Sequence, residues 1–242
     1  MGRHEYRERL ERLRDAVVAI GDRVCGQLDD AVTALFTDDL ALARVVVETD
    51  ATVNDRCLEI ERECLDLVAL HQPVAGDLRF VVAAFKIVTD LERVADLAAN
   101  LAEYALDSTG SASPLPDVDF ERITALALEQ IERALEAFVT DDVEACFAVA
   151  ERDDELDARC AGVAERIVRT LMELHVEGGT DGERRVQGDA GGPPVADVIA
   201  DVIADVSRTF VIARDLERVG DHAVNVAART LYALENSEEL LR

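Results

Sequence analysis

An eleven-residue stretch occurs twice in this chain in nearly the same form, and that repetition restricts the fold more than any other feature. Asp90-Leu91-Glu92-Arg93-Val94-Ala95-Asp96-Leu97-Ala98-Ala99-Asn100 returns as Asp215-Leu216-Glu217-Arg218-Val219-Gly220-Asp221-His222-Ala223-Val224-Asn225. Over 85–103 and 210–228, eleven of nineteen positions are identical at an offset of 125. Earlier in the chain the offset is 103. It carries Thr37-Asp38-Asp39 onto Thr140-Asp141-Asp142, and Val46, Glu48, Asp50, Arg56 and Cys57 onto Val149, Glu151, Asp153, Arg159 and Cys160. The difference, 125 − 103 = 22, is about the size of a Gly-rich segment at 177–194 that holds six of the thirteen glycines. One insertion into the second copy accounts for it. A chain written twice from one unit folds as two like units.

Each unit reads as three helices. Apolar residues recur at spacings of three and four from Tyr6 to about Phe36, Asp39 to Leu70 and Val74 to Leu106. The second copy gives helices over Val118–Val139, Asp142–Val176 and Val195–Asn236. Thr37-Asp38-Asp39 offers capping oxygens to the second helix, and Pro73 is expected in the first turn of the third. Ser108 to Pro116 reads as a linker and about 177–194, ending in Pro193-Pro194, as a loop. The expected architecture from the residues is all-α, two copies of one three-helix unit, 1–110 and 111–242.

Composition sets limits on function. The acids number 51 against 25 bases, a net charge of −26, so direct nucleic-acid binding is disfavoured by repulsion from phosphates. Apolar runs are far shorter than the ~20 residues a membrane span needs. No basic stretch followed by an apolar run and a cleavage site opens the chain, so the expectation is a cytoplasmic protein without membrane insertion. Lys occurs once, at Lys86, and an acidic, Lys-poor surface fits adaptation to high salt. Five cysteines without a Cys-x-x-Cys pair read as buried thiols. With aromatics at 4% and no Trp, the cores must be built from Ala, Val, Leu and Ile.

The repeated stretch also carries the candidate chemistry. Glu92, Asp96 and Asn100 lie four apart on one helix face, as do Glu217, Asp221 and Asn225. Oxygen donors without thiolate suit hard or borderline cations such as magnesium, manganese, iron or zinc. Asp50/Asn54 and Asp153/Asp157 have the same spacing on the preceding helix, so two antiparallel helices could present four side chains to a shared ion. The competing reading is a solvated face, because the row lies roughly 160° from the apolar stripe of its own helix at 100° per residue. On either reading the row belongs to the bundle surface. Arg93 and Arg218 can brace neighbouring carboxylates or sit in solvent or at a partner surface, while His222 reads as a packing or surface residue. His4, His71 and His175 have no partner at ligand spacing. The absence of Glu-x-x-His argues against a ferritin-like di-iron core. Walker A, Rossmann and Gly-x-Ser-x-Gly signatures are also missing.

At these residues the chain resembles the PhoU family, regulators of phosphate uptake. The resemblance rests on Asp215-Leu-Glu-Arg-Val-Gly-Asp-His-Ala-Val-Asn225 and on Gln72-Pro73-Val74-Ala75-Gly76-Asp77-Leu78-Arg79, and it extends over both units. It implies a fold of two pseudo-symmetric, spectrin-like up-down three-helix bundles, with metal clusters at Glu92/Asp96 and Glu217/Asp221 and Asp153/Asp157 facing. It also implies dimerisation and restraint of a phosphate ABC transporter, in many bacteria with a sensor kinase as a further partner. Asn54 stands where the second copy has Asp157, and Ala95 and Leu97 where it has Gly220 and His222, so the second site is expected to hold a cation better. Two other functions compete with a non-enzymatic regulator: an accessory protein of another phosphate permease, and a metal-dependent phosphohydrolase. The latter lacks a conspicuous general base or nucleophile.

Overall fold

A computed structural model describes residues 3–107, 118–181 and 195–240. Six helices account for these: α1 (Arg3–Thr37), α2 (Leu40–His71), α3 (Gly76–Leu106), α4 (Phe120–Thr140), α5 (Val143–Asp181) and α6 (Val195–Glu235). The described residues contain no strand. Capping chemistry sets the starts. Asp39 accepts from the backbone N–H groups of Ala41 and Leu42, Asp119 from Arg122, and Asp142 from Ala145, so donors left open in each first turn are satisfied.

Two boundaries depart from the sequence expectation. Pro73 lies ahead of α3 rather than in its first turn, because Gln72 is left-handed (φ 47°, ψ 57°) and Ala75 also has a positive φ (50°, with ψ −120°), and a right-handed helix cannot pass through them. α5 continues beyond Val176 to Asp181, taking Gly178 and Gly179 into its last turns, where glycine is best tolerated. The remainder of the expected Gly-rich loop, 182–194, and the linker at 108–117 lie outside the described residues. So does the side chain of His175.

Helices α1, α2 and α3 pack on one another, and α4, α5 and α6 do likewise. The two bundles meet through α3 against α6 and α1 against α4. Position 90 of α3 faces 222 and 225 of α6 while position 104 faces 215, so α3 and α6 run antiparallel across this seam. Small residues are buried along both helices: Ala83, Ala84, Ala95, Ala98 and Ala102 on α3, with Ala223 and Ala227 on α6, are essentially inaccessible to solvent. Leu91, Leu97, Leu101, Leu216 and Leu231 are buried as well, each contributing about 1.5–3 kcal/mol. One continuous core therefore crosses both bundles. At the α1–α4 contact, Gly21 faces Leu135 closely. Nearby, Arg14 lies over the rings of Phe80 and Phe138 and donates to the Phe138 carbonyl near the end of α4.

Candidate metal centres

In the first bundle, Asp50, Asn54, Cys57 and Glu61 stand at intervals of four, three and four along α2, which puts them on one face. That face meets Glu92 and Asp96 on α3. Burial raises the Glu92 carboxyl above its ordinary pKa, and the nearby charges of Asp96, Glu61 and Asp50 push the same way against Arg93. Asp96 is raised by burial and then by Asp50, with Arg93 and Arg218 opposing. Asp50, Glu61 and Asp96 thus all lie near enough to Glu92 for their charges to act on it. Asp50 has both oxygens engaged, Oδ1 by Gln27 Nε2 of α1 at 3.3 Å and Oδ2 by Asn54 Nδ2 at 3.0 Å. Thr89 Oγ1 donates to Glu61 at 3.1 Å.

The second bundle repeats the construction. Asp153 on α5 is 3% exposed and accepts from Gln130 Nε2 of α4 at 3.2 Å. Glu217 on α6 is raised by burial and then by Asp157, Asp221 and Asp153. Gly220 lets α6 come close at this point. A Cβ there would lie 2.5 Å from Leu156 Cδ2, 2.9 Å from Asp153 Oδ1 and 3.0 Å from Gln130 Oε1. Cys57 and Cys160 line the clusters as thiols, not thiolates. Burial foremost, then the surrounding carboxylates, pushes each up to about 12.

The expected sites are therefore drawn together in two sets, Asp50, Glu92 and Asp96 in one bundle and Asp153, Asp157, Glu217 and Asp221 in the other. They do not form a fully solvated face. Glu92 and Glu217 are half-buried because α3 and α6 each pack against helices on several sides, although Asp96 and Asp221 stay exposed. Asn225 has turned elsewhere: its Nδ2 lies 3.3 Å from Asp90 Oδ1 across the seam. Its counterpart Asn100 is half-buried one turn beyond Asp96. His222 is a packing residue, buried with Nδ1 3.0 Å from Asp90 Oδ1. Arg218 braces a carboxylate at the seam, 3.9 Å from Asp215. Contrary to the expectation for His4, it faces Glu8 one turn along α1 at 3.2 Å. His71 packs against the Tyr6 ring.

Three contributors escaped the sequence reading. Gln27 and Gln130 are separated by 103, the offset of Asp50 and Asp153, so extending the alignment upstream of Thr37 would have found them. Glu61 could not be found that way, since its counterpart at that offset is Ala164. It restores a fourth carboxylate to the first cluster, where Asn54 replaces Asp157. An all-oxygen donor set with excess negative charge fits a hard cation. Among the described residues, no three His, Cys, Asp or Glu side chains already converge on one point.

The sequence profile of the PhoU domain matches residues 17–105 and 120–230. The phosphate-specific transport system accessory protein PhoU homolog of Pseudomonas aeruginosa is 30% identical over 238 residues, covering 97% of this chain and 87% of the relative. The protein of the same description from Caulobacter vibrioides is 30% identical over 235 residues, covering 96% and 91%. The Escherichia coli phosphate-specific transport system accessory protein PhoU is 26% identical over 234 residues, covering 97% and 87%. The crystal structure of PhoU from Pseudomonas aeruginosa superposes with a TM-score of 0.81 at 29% identity, covering 96% of this chain and all of that one.

Proposed function

This chain belongs to the PhoU family and acts in the regulation of phosphate uptake, and we propose that it restrains a phosphate ABC transporter through protein–protein contacts, from the cytoplasmic side and without catalysis of its own. Among the described residues no helix is long and apolar enough to cross a membrane, so association with the transporter runs through its surface. Apolar side chains are left exposed around the α2–α3 turn, where Leu65, Leu70, Val74 and Leu78 lie close in sequence, and a partner would cover them. Leu65 and Leu78 recur as the exposed Val168 and Ile203 at the two repeat offsets.

The observation that carries the metal side of this reading is the pair of four-carboxylate clusters at matching places in the two bundles. Neighbouring carboxylates that repel one another are relieved by a cation, which would neutralise them and tie α2 to α3 and α5 to α6. The first cluster would offer Asp50, Glu61, Glu92 and Asp96, and the second Asp153, Asp157, Glu217 and Asp221. The phosphohydrolase alternative gains no support. Cys57 and Cys160 are held as thiols, and the buried His222 faces Asp90 rather than either cluster.

Phosphate uptake in the native host, with phosphate replete, tests the reading. Deleting the gene should raise uptake and restoring the wild-type gene should lower it again, with transporter components co-purifying. Unchanged uptake in the deletion strain would refute it.

A further inference from the structure

Each carboxylate cluster receives one side chain from the first helix of its bundle, and in both it is a buried glutamine. Gln130 is wholly inaccessible and Gln27 is 7% exposed. Their helix neighbours are apolar: Val24 and Ala31, one turn from Gln27 on α1, and the adjacent Leu28 are buried, as are Ala127, Ile131 and Ala134 near Gln130 on α4. An amide in such a place is unfavourable unless hydrogen-bonded, and an aliphatic side chain would pack there more favourably. The amides are only half satisfied. Each Nε2 donates to the carboxylate, while Gln27 Oε1 and Gln130 Oε1 are buried without a hydrogen-bond partner. Packing alone does not account for a half-satisfied amide at the same place in both bundles.

The target of each amide is also the same. Gln27 donates to Asp50 and Gln130 to Asp153, and these two aspartates are repeat equivalents. A donor at that oxygen holds the carboxylate in one orientation and leaves less of its rotation to be lost when an ion binds. We propose that Gln27 and Gln130 are positioning residues that orient Asp50 and Asp153 for a divalent cation, so that every helix of each bundle takes part in its site. The inference rests on the metal reading above. Gly220 belongs to the arrangement in the second bundle, since a Cβ there would press on both Asp153 Oδ1 and Gln130 Oε1.

The probe is Mn²⁺, titrated into the full chain and followed by electron paramagnetic resonance of free and bound ion. Glu92→Ala/Asp96→Ala serves as background, so that the second site is read alone. Gln130→Met preserves shape and removes the donor. It should weaken Mn²⁺ binding about 10- to 100-fold, as loss of a group that orients a ligand does elsewhere. Gln130→Met should also change the bound-ion spectrum. Wild-type affinity and spectrum in Gln130→Met would overturn the inference, reducing the glutamine to filler. Gln27→Met, read with Glu217→Ala/Asp221→Ala as background, tests the same role independently should Gln130 variants fold poorly. Failure of the metal reading looks different: the unsubstituted chain then binds no Mn²⁺, or binds it equally with all four of Glu92, Asp96, Glu217 and Asp221 replaced, and the positioning role falls with it.

Discussion

Asp90 of α3 and His222 of α6 are buried partners across the seam between the bundles, Oδ1 3.0 Å from Nδ1, with Asn225 Nδ2 3.3 Å from the same oxygen. The pseudo-symmetric position is built differently. Asp215 accepts from Tyr104 and lies beside Arg214 and Arg218, and Leu97 stands where the second copy has His222. Replacing His222 by leucine, the residue already present at the equivalent place, leaves Asp90 with Asn225 as its remaining partner across the seam. The expected loss is about 1–3 kcal/mol, the range for a buried polar group losing a partner. Urea unfolding with unchanged m-value checks it, and Asp90→Leu/His222→Leu should recover part of the loss.

Two glycines at helical positions should respond oppositely to alanine. At Gly220 the new methyl group would meet Leu156, Asp153 and Gln130, whereas at Gly26 nothing lies within 4 Å. Gly220→Ala should therefore destabilise by about 1–3 kcal/mol through overpacking. Gly26→Ala should stabilise by up to about 1 kcal/mol through helix propensity. Thermal melts of the two variants compare the effects directly.

Much of this was legible in the residues. The repeat offsets gave two like units, and the helix starts at Leu40 and Val143 follow from Asp39 and Asp142, whose carboxylates cap them. Glu92, Asp96, Glu217 and Asp221 were marked by repetition and spacing. The half-burial of Glu92 and Glu217 was not, because a helical wheel treats a helix as having one buried side, while α3 packs against α1, α2 and α6 at once. Glu61 was hidden for a related reason. Its role depends on which α2 residues meet α3, and the second copy carries alanine in its place.

Acidity acts on the clusters with a defined sign. Glu92, Asp96 and Glu217 have folded-state pKa values above their ordinary ones. Their stabilising contribution is complete below the unfolded carboxylate pKa and is lost as pH rises through the raised folded value. Glu217→Gln should thus raise the melting temperature of metal-free protein at pH 7, and the difference should vanish on acidification below the carboxylate range. Glu155 behaves the other way. Hydrogen bonds from Arg122 and Arg159 lower its pKa, so its contribution is present at pH 7 and fades as pH falls through that lowered value. Glu155→Gln should lower the melting temperature at pH 7.

Salt should stabilise the fold. With 51 acids against 25 bases, self-repulsion is reduced as the screening length falls from about 10 Å at 0.1 M to about 3 Å at 1 M. The melting temperature should rise between low and molar KCl, whereas a fall would remove the basis for adaptation to high salt.

The central claim is that the repeated carboxylates are cation sites, and elemental analysis of chelator-free protein by plasma mass spectrometry tests it most directly. Wild-type protein should carry iron, zinc, manganese or magnesium. Glu217→Ala/Asp221→Ala should lower that content, and adding Glu92→Ala/Asp96→Ala should remove the remainder. Metal content unchanged by all four substitutions would contradict the account and leave both rows as ordinary acidic surface.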